Sequence, residues 1–116
     1  MSLDVLERQA FAPGQALFRA GDAPRCAYLI QSGAVDIVVT RDGQDVVIDS
    51  LEPGGLVGEM ALVDAEPRSA TAVAKQATNC VVITRTDFAR RLEKSDPFVR
   101  SMVKVLVRRL RKSTAA

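Results

Sequence analysis

Short apolar runs separated by turn-forming residues dominate the first 84 positions of the chain. The runs predict β-strands over 28–31, 34–40, 45–51, 70–74 and 79–84. Pairs containing glycine or proline punctuate them about every ten residues, a spacing typical of a sandwich or barrel of short strands. Asp42 and Gly43 separate two of the runs and indicate a tight hairpin.

From residue 85 onward the apolar residues follow a helical period. Thr86 is a candidate N-cap for a helix over about 86–94. Asp96 followed by Pro97 is typical of the start of a second helix, over about 97–112. One face of this helix carries an apolar stripe that consists of Val99, Met102, Val103, Leu106 and Leu110.

The pattern as a whole predicts a single α+β domain over residues 1–116, mainly β, with its strands over about 11–84. A short helix around residues 3–9 is also predicted. The length of 116 residues is enough for one domain with a real core.

Charge is distributed unevenly along the chain. Residues 1–84 hold 6 Lys and Arg against 11 Asp and Glu, whereas residues 85–116 hold 10 against 3. A basic C-terminal helix can bind nucleic acid or can simply be solvated. It has no interleaved aromatic residues and presents an apolar stripe, so we do not expect direct DNA binding.

The chain contains no histidine, which removes Ser-His-Asp and Cys-His catalysis and any site that needs a histidine ligand. We therefore predict that it is not an enzyme, has no catalytic residue and binds no metal. Cys26 and Cys80 lie beside apolar runs without metal-ligand spacing, which indicates buried thiols in a reduced, cytoplasmic protein. No segment approaches the ~20 apolar residues of a membrane span.

Residues 57–74 interrupt the strand rhythm and carry the candidate chemistry. Gly58 permits close backbone approach to a ligand, and a short helix after it would direct N–H groups at an anion. Arg68 can supply a guanidinium to the same anion, while the Glu59 carboxylate suits a neutral hydroxyl pair. Residue types alone leave open a structural alternative, in which Arg68 pairs with Glu59 or Asp64.

This segment resembles the phosphate-binding cassette of the cyclic nucleotide-binding domain family. The family pattern Gly-Glu-x-Ala-Leu-x4-Pro-Arg-x-Ala-Thr is matched at every fixed position, by Gly58, Glu59, Ala61, Leu62, Pro67, Arg68, Ala70 and Thr71. Segments 11–22, 28–38 and 51–59 are similar to the family's preceding strands. The resemblance, to catabolite activator and protein kinase A regulatory subunit types, implies an eight-stranded, jelly-roll-like β-roll with a one-turn phosphate-binding helix and two closing helices.

The resemblance also implies a ligand and roles for individual residues. Arg68 would bind the cyclic phosphate and Glu59 the ribose 2′-hydroxyl, with backbone N–H groups of Met60, Ala61 and Ser69 around them. The implied ligand-binding set is Gly58, Glu59, Met60, Ala61, Arg68, Ser69 and Ala70. Relatives with Thr at the position of Ser69 often favour cGMP and those with Ala often favour cAMP, so we expect cAMP more than cGMP. We expect no other cofactor.

Contacts with the base are predicted at Val46, Val47 and Val57. In the family the last helix closes over the ligand, which makes Val103, Leu106, Val107 and Leu110 candidate lid residues. The apolar stripe has two candidate partners, the roll with its bound base or the same helix of a second subunit.

We expect no helix-turn-helix or other output domain within these 116 residues. We expect a regulatory sensor module that acts on a separate effector, or a regulatory fragment of a transcription factor, channel or kinase. The alternative is a degenerate fold that binds protein instead of nucleotide.

Overall fold

Two antiparallel sheets of four strands each form the body of the molecule in the computed structural model, which describes residues 7–62 and 65–115. The eight strands are β1 Glu7–Phe11, β2 Ala16–Phe18, β3 Cys26–Ser32, β4 Val35–Arg41, β5 Gln44–Leu51, β6 Leu56–Val57, β7 Thr71–Ala74 and β8 Thr78–Thr84. One sheet has the order β1-β8-β3-β6 and the other β2-β7-β4-β5. The predicted eight-stranded roll is confirmed.

The core lies between the two sheets and is mostly aliphatic, as a chain with 4% aromatic residues requires. Its largest fully buried side chains include Ile30, Val35, Val57 and Val81. Cys26 and Cys80 are buried free thiols, as the sequence predicted.

The β4–β5 hairpin turns at Asp42 and Gly43, whose φ angles are 53° and 76°. Positive φ at both central residues is the requirement of a type I′ turn and explains the Asp-Gly pair. Farther along, the register shifts: Ile37 pairs with Asp49, whereas Val38 pairs with Val47. Ile48 is therefore the extra residue of a β-bulge.

Two helices follow the roll, α1 Arg85–Glu93 and α2 Pro97–Ala115. The N-cap of α1 is Thr84, whose hydroxyl accepts from the Asp87 N–H at 3.1 Å, so the predicted cap at Thr86 is wrong by two residues. Asp96 caps α2 as predicted, since its carboxylate accepts from the Phe98 N–H at 2.8 Å.

The predicted N-terminal helix is wrong for its last three positions, because residues 7–9 belong to β1. Those positions pair with residues 80–82 of β8, and this ladder takes their backbone groups. Residues 3–6 of that prediction lie outside the described residues.

Much of the apolar surface of α2 faces solvent. Large exposed side chains on this helix are Phe98, Val99, Met102, Leu106 and Leu110. Val103 and Val107 are half-buried, and Val107 lines a small groove beside α1 with Phe88 and Leu92. Within the described residues, neither helix is long and apolar enough to cross a membrane.

Candidate functional site

A cavity of about 830 Å³ opens beside the short 3₁₀ helix Glu59–Leu62. The 3₁₀ helix, the segment 66–70 and strands β4, β5 and β6 supply most of its wall. Eight of the residues predicted as ligand contacts line it: Val57, Gly58, Glu59, Met60, Ala61, Arg68, Ser69 and Ala70. Tertiary structure thus brings together the whole predicted binding set and one of the predicted base contacts.

Gly58 allows the backbone to pass next to the Arg68 side chain. Its φ is +73°, a conformation that L side chains rarely adopt. A Cβ atom here would lie 2.4 Å from Nη1 of Arg68 and 2.9 Å from Cε2 of Phe18. Glycine at this position is therefore required by both backbone conformation and space.

Arg68 is the main buried charge of the site, with 9% of its surface exposed. Nη1 donates to the carbonyl of Gly58 at 3.1 Å, and Nη2 donates to the carbonyl of Cys26. Cζ lies 3.9 Å from the ring centroid of Phe18, which places the guanidinium over an aromatic face. These contacts hold the guanidinium in one orientation.

The same guanidinium keeps an unused donor. Nε of Arg68 is buried and has no hydrogen-bond partner. The ion pair found among the described residues joins Arg90 to Asp87 and does not involve Arg68. A buried cation that finds no carboxylate partner in the described part of the chain carries a desolvation cost that a bound anion would offset.

Burial lowers the pKa of Arg68 from its usual value, because desolvation disfavours the charged form. Four neighbouring groups act in the opposite direction and raise this pKa: Cys26, Tyr28, Asp22 and Glu59. Arginine stays protonated in proteins, so the cavity carries a positive charge on this side.

The backbone of Arg68 is also fixed, by the turn that follows β2. The Arg68 N–H donates to the carbonyl of Asp22 at 2.9 Å, and the Gly21 N–H donates to the carbonyl of Arg68 at 2.8 Å. The Asp22 carboxylate in turn accepts from the Arg19 N–H at 2.9 Å. The early segment 11–22 therefore positions a side chain that lies nearly fifty residues later in the sequence.

Glu59 opens the 3₁₀ helix, half-buried in the cavity wall. The Ala61 N–H donates to the carbonyl of Gly58 at 3.1 Å. A ligand atom that accepted from the Ala61 N–H would therefore share this donor with the Gly58 carbonyl. Nε of Arg85 donates to the carbonyl of Ala61 at 2.9 Å and connects the 3₁₀ helix to α1. A change of position in α1 would thus reach the cavity wall directly.

Six of the predicted contacts are absent from the cavity wall within the described ranges: Val46, Val47, Val103, Leu106, Val107 and Leu110. The bulge at Ile48 accounts for the first two, because it shifts the part of β5 that meets the cavity toward Ile48, Asp49 and Leu51. The other four belong to α2, which contributes no residue to this wall. Their contact with a ligand stays a prediction.

Several wall residues were not predicted from the sequence, among them Phe18, Ile37, Ile48, Asp49, Leu51 and Leu56. Most are apolar strand residues whose pattern does not distinguish a cavity wall from a core. Asp49 was detectable in principle, because a carboxylate interrupts the apolar run of β5.

The arrangement suits a singly charged anion that carries a hydroxyl group and an apolar ring. Arg68 provides the cation, Glu59 provides a hydrogen-bond acceptor, and the strand residues provide an apolar wall. Among the described residues no group of three or more His, Cys, Asp and Glu side chains is placed to hold a metal ion.

Comparison with known proteins gives relatives along most of the chain. It is 32% identical over 114 residues to the "Cyclic AMP receptor protein" of Thermus thermophilus, covering 97% of this chain and 53% of that protein. It is 34% identical over 89 residues to a "cAMP-dependent protein kinase regulatory subunit" of Mucor circinelloides, covering 77% of this chain and 21% of that protein. The chain thus spans about half of the first relative and about a fifth of the second.

Solved structures share the fold. The half-site-occupied form of the EAL enzyme Bd1971 superposes with a TM-score of 0.87 at 32% identity, covering 95% of this chain and 99% of that chain. Forms of the same enzyme described as cAMP bound and cGMP bound give TM-scores of 0.74 and 0.75 at 32% and 33% identity, each covering 94% of this chain and 29% of that chain.

The family model described as "Cyclic nucleotide-binding domain" matches residues 8–95. This range includes all eight strands except the first residue of β1, together with the 3₁₀ helix, α1 and the full wall of the cavity. The chain belongs to the cyclic nucleotide-binding domain family.

Proposed function

We propose that the chain binds one cyclic nucleotide in this cavity, with the cyclic phosphate on Arg68 and the ribose on Glu59. The observation that carries the proposal is the state of Arg68, which is buried and, among residues 7–62 and 65–115, has an unpartnered Nε and no ion pair. A phosphate oxygen at Nε would satisfy this donor and neutralise the charge through a charge-assisted hydrogen bond.

The size and chemistry of the cavity support this ligand class. A volume of about 830 Å³ lies within the range of roughly 300–1,000 Å³ that is usual for small-molecule sites. The Glu59 carboxylate would repel a second phosphate charge, but it can accept a hydrogen bond from a ribose hydroxyl. A cyclic nucleotide has one phosphate charge and a free 2′-hydroxyl, which fits both groups.

We propose cAMP in preference to cGMP. Ser69 lines the cavity directly after Arg68 and can donate or accept through its hydroxyl. The names of the two relatives above refer to cyclic AMP, which supports the choice, although Bd1971 is described in both cAMP-bound and cGMP-bound forms.

We propose a regulatory role, in which the ligand changes the position of α2. None of the described side chains of α2 lines the cavity wall, so closure over the ligand requires this helix to move. Its exposed Leu106 can then contact either the ligand side of the roll or a second protein chain. Sedimentation of wild type and Leu106→Gln, with and without cAMP, distinguishes these partners, because only a subunit contact changes the mass of the particle.

We propose that the site holds its ligand without transforming it. Glu59 and Arg68 can bind and orient a ribose and a phosphate, and the side-chain partners that the described residues offer Arg68 are two backbone carbonyls and the Phe18 ring, not a nucleophile. Incubation with cAMP should therefore yield no 5′-AMP, and accumulation of that product would contradict the proposal.

The direct test is calorimetric titration with cAMP, cGMP and 5′-AMP. We expect Arg68→Ala to weaken cyclic nucleotide binding at least tenfold, because it leaves the phosphate charge unpaired in a desolvated site. Arg19→Ala is the matched control, since this arginine is exposed and lies outside the cavity wall. Circular dichroism checks that the variants fold, and Arg68→Lys replaces Arg68→Ala if the latter does not.

A thermal melt provides the second measurement. Ligand at 100 times its Kd should stabilise the wild-type protein by ~2.7 kcal/mol. Equal affinities of wild type and Arg68→Ala would overturn the assignment of the phosphate site. Absence of stabilisation by any cyclic nucleotide would favour the alternative, a protein-interaction module that uses the exposed apolar face of α2.

A further inference from the structure

A carboxylate lies in the otherwise apolar strand wall of the cavity. Asp49 of β5 pairs directly with Ile37 of β4, so both side chains lie on the same face of the sheet, and both line the cavity. Their neighbours in the wall, Leu51 and Leu56, are apolar. The bulge at Ile48 produces this placement. The extra residue shifts, just before Asp49, the alternation of β5 side chains between the two faces of the sheet.

Asp49 retains hydrogen-bonding capacity within this wall. Its Oδ1 accepts from the N–H of Ser50 at 2.9 Å, a contact within its own strand. Within the described ranges, no second hydrogen bond involves this carboxylate. The side chain is exposed, so a molecule in the cavity can reach it.

The charge of Asp49 opposes the binding of an anion. Glu59 and Glu66 also line the cavity, so among the described residues its wall holds three carboxylates and one guanidinium, that of Arg68. Glu59 has a hydroxyl to accept from in the proposed ligand, whereas Asp49 belongs to β5 and not to the 3₁₀ helix or the segment 66–70. Its charge weakens the binding of any cyclic nucleotide unless a donor on the base pairs with it.

We propose that Asp49 is a specificity-determining residue, which accepts a hydrogen bond from the exocyclic amino group of the purine. The inference rests on the proposed function of the cavity. A carboxylate is acceptor-only. Adenine offers a 6-amino group and guanine a 2-amino group, whereas hypoxanthine has neither: it shares the 6-carbonyl and the N1–H of guanine and differs from guanine only in lacking the 2-amino group.

The test is a titration of wild type and Asp49→Ala with cAMP, cGMP and cyclic IMP, whose base is hypoxanthine. We expect the wild type to bind at least one amino-bearing nucleotide about tenfold more tightly than cyclic IMP, as a hydrogen bond to a charged group allows. In Asp49→Ala this ratio should fall to about two or less. Affinity for the amino-bearing ligand should decrease, while affinity for cyclic IMP should rise. A purely structural role of Asp49 would move both affinities in the same direction.

Asp45→Ala is the matched control. Asp45 lies on the same strand and carries the same charge, and its Oδ1 accepts from the Thr40 hydroxyl at 3.0 Å outside the cavity wall. This variant should leave the cAMP to cyclic IMP and the cGMP to cyclic IMP affinity ratios unchanged, which separates a local contact from a general charge effect. Thermal melts of both variants verify that each protein is folded.

The two affinity ratios identify which exocyclic amino group Asp49 contacts. A cAMP to cyclic IMP ratio that depends on Asp49 assigns the 6-amino group, and a cGMP to cyclic IMP ratio that depends on it assigns the 2-amino group. Either result supports the inference. Retained binding with both ratios unchanged in Asp49→Ala would overturn it, whereas a wild type that binds none of the three ligands would overturn the proposed function itself.

Discussion

Gly58 and Arg68 hold each other in place at the cavity. The Gly58 carbonyl accepts from Nη1 of Arg68 at 3.1 Å, and a Cβ atom on Gly58 would lie 2.4 Å from the same nitrogen. The contact joins the end of β6 to the segment before β7, so the absence of a side chain at one position sets the location of the charge at the other.

Gly58→Ala should therefore displace the guanidinium and weaken cyclic nucleotide binding at least tenfold. It should also lower the free energy of unfolding by about 1–2 kcal/mol, because alanine at φ +73° is strained. Gly54→Ala is the control, since Gly54 has a φ of +92° and a Cβ atom added there would have no atom within 4 Å. Urea unfolding and calorimetry measure the two effects. Equal losses of affinity in both variants would show that backbone strain, and not the contact with Arg68, controls the site.

Glu59 should discriminate between ribose and deoxyribose. If its carboxylate accepts from the 2′-hydroxyl, the wild type should bind 2′-deoxy-cAMP about tenfold more weakly than cAMP. Glu59→Ala should bind the two ligands about equally, because the acceptor is gone. Glu66→Ala, which removes an exposed carboxylate from the same wall, controls for charge. A preference for cAMP that survives in Glu59→Ala would place the ribose elsewhere.

Cys80 should make the fold sensitive to alkaline pH. Burial raises the pKa of its thiol from 9.0 to about 11, since desolvation disfavours the thiolate. Because the pKa is higher in the folded state, the protonated thiol makes its full contribution to the free energy of unfolding below pH 9. This contribution is lost as the pH rises toward 11. The loss attributable to this group at pH 10 is about 1.4 kcal/mol.

Urea unfolding of wild type and Cys80→Ala at several pH values between 7 and 11 measures this contribution. Cys80→Ala should be less stable at neutral pH because of the cavity it creates, but its stability should decline less steeply above pH 9. Burial is also the largest cause of a raised pKa at Tyr28; the charge of Cys80 adds the smallest part, so most of the Tyr28 contribution remains in Cys80→Ala. Parallel pH profiles would contradict the assignment to Cys80.

Asp96 should control the start of α2. Its carboxylate accepts from the N–H groups of Phe98 at 2.8 Å and Val99 at 3.4 Å. Asp96→Ala should cost ~1 kcal/mol of local helix stability, whereas Asp96→Ser should retain most of it. Hydrogen exchange at the first turn of α2 reports the effect. Unchanged protection in the alanine variant would mean that packing, and not the cap, holds this end of the helix.

Local signals predicted the parts of the molecule that local chemistry controls. The Asp42-Gly43 turn follows from positive φ angles that those residues tolerate, and the start of α2 follows from the Asp96-Pro97 pair. The position of the α1 cap was predicted two residues too late, because Thr84 and Thr86 are both plausible caps and the register of β8 decides between them. The strand at residues 7–11 was missed, since its pairing with β8 is long-range and outweighs a weak helical pattern.

The sequence by itself determined the β-roll class, the closing helices and the cassette that contains Gly58, Glu59 and Arg68. Only the tertiary structure decided that Arg68 is buried against Phe18 and Cys26, that Asp49 enters the cavity wall, and that the described side chains of α2 stay outside it. The physical reason is the range of the interactions. Turns and caps depend on neighbouring residues, whereas a cavity wall depends on strand register and bulges, which are set by backbone pairing between distant segments.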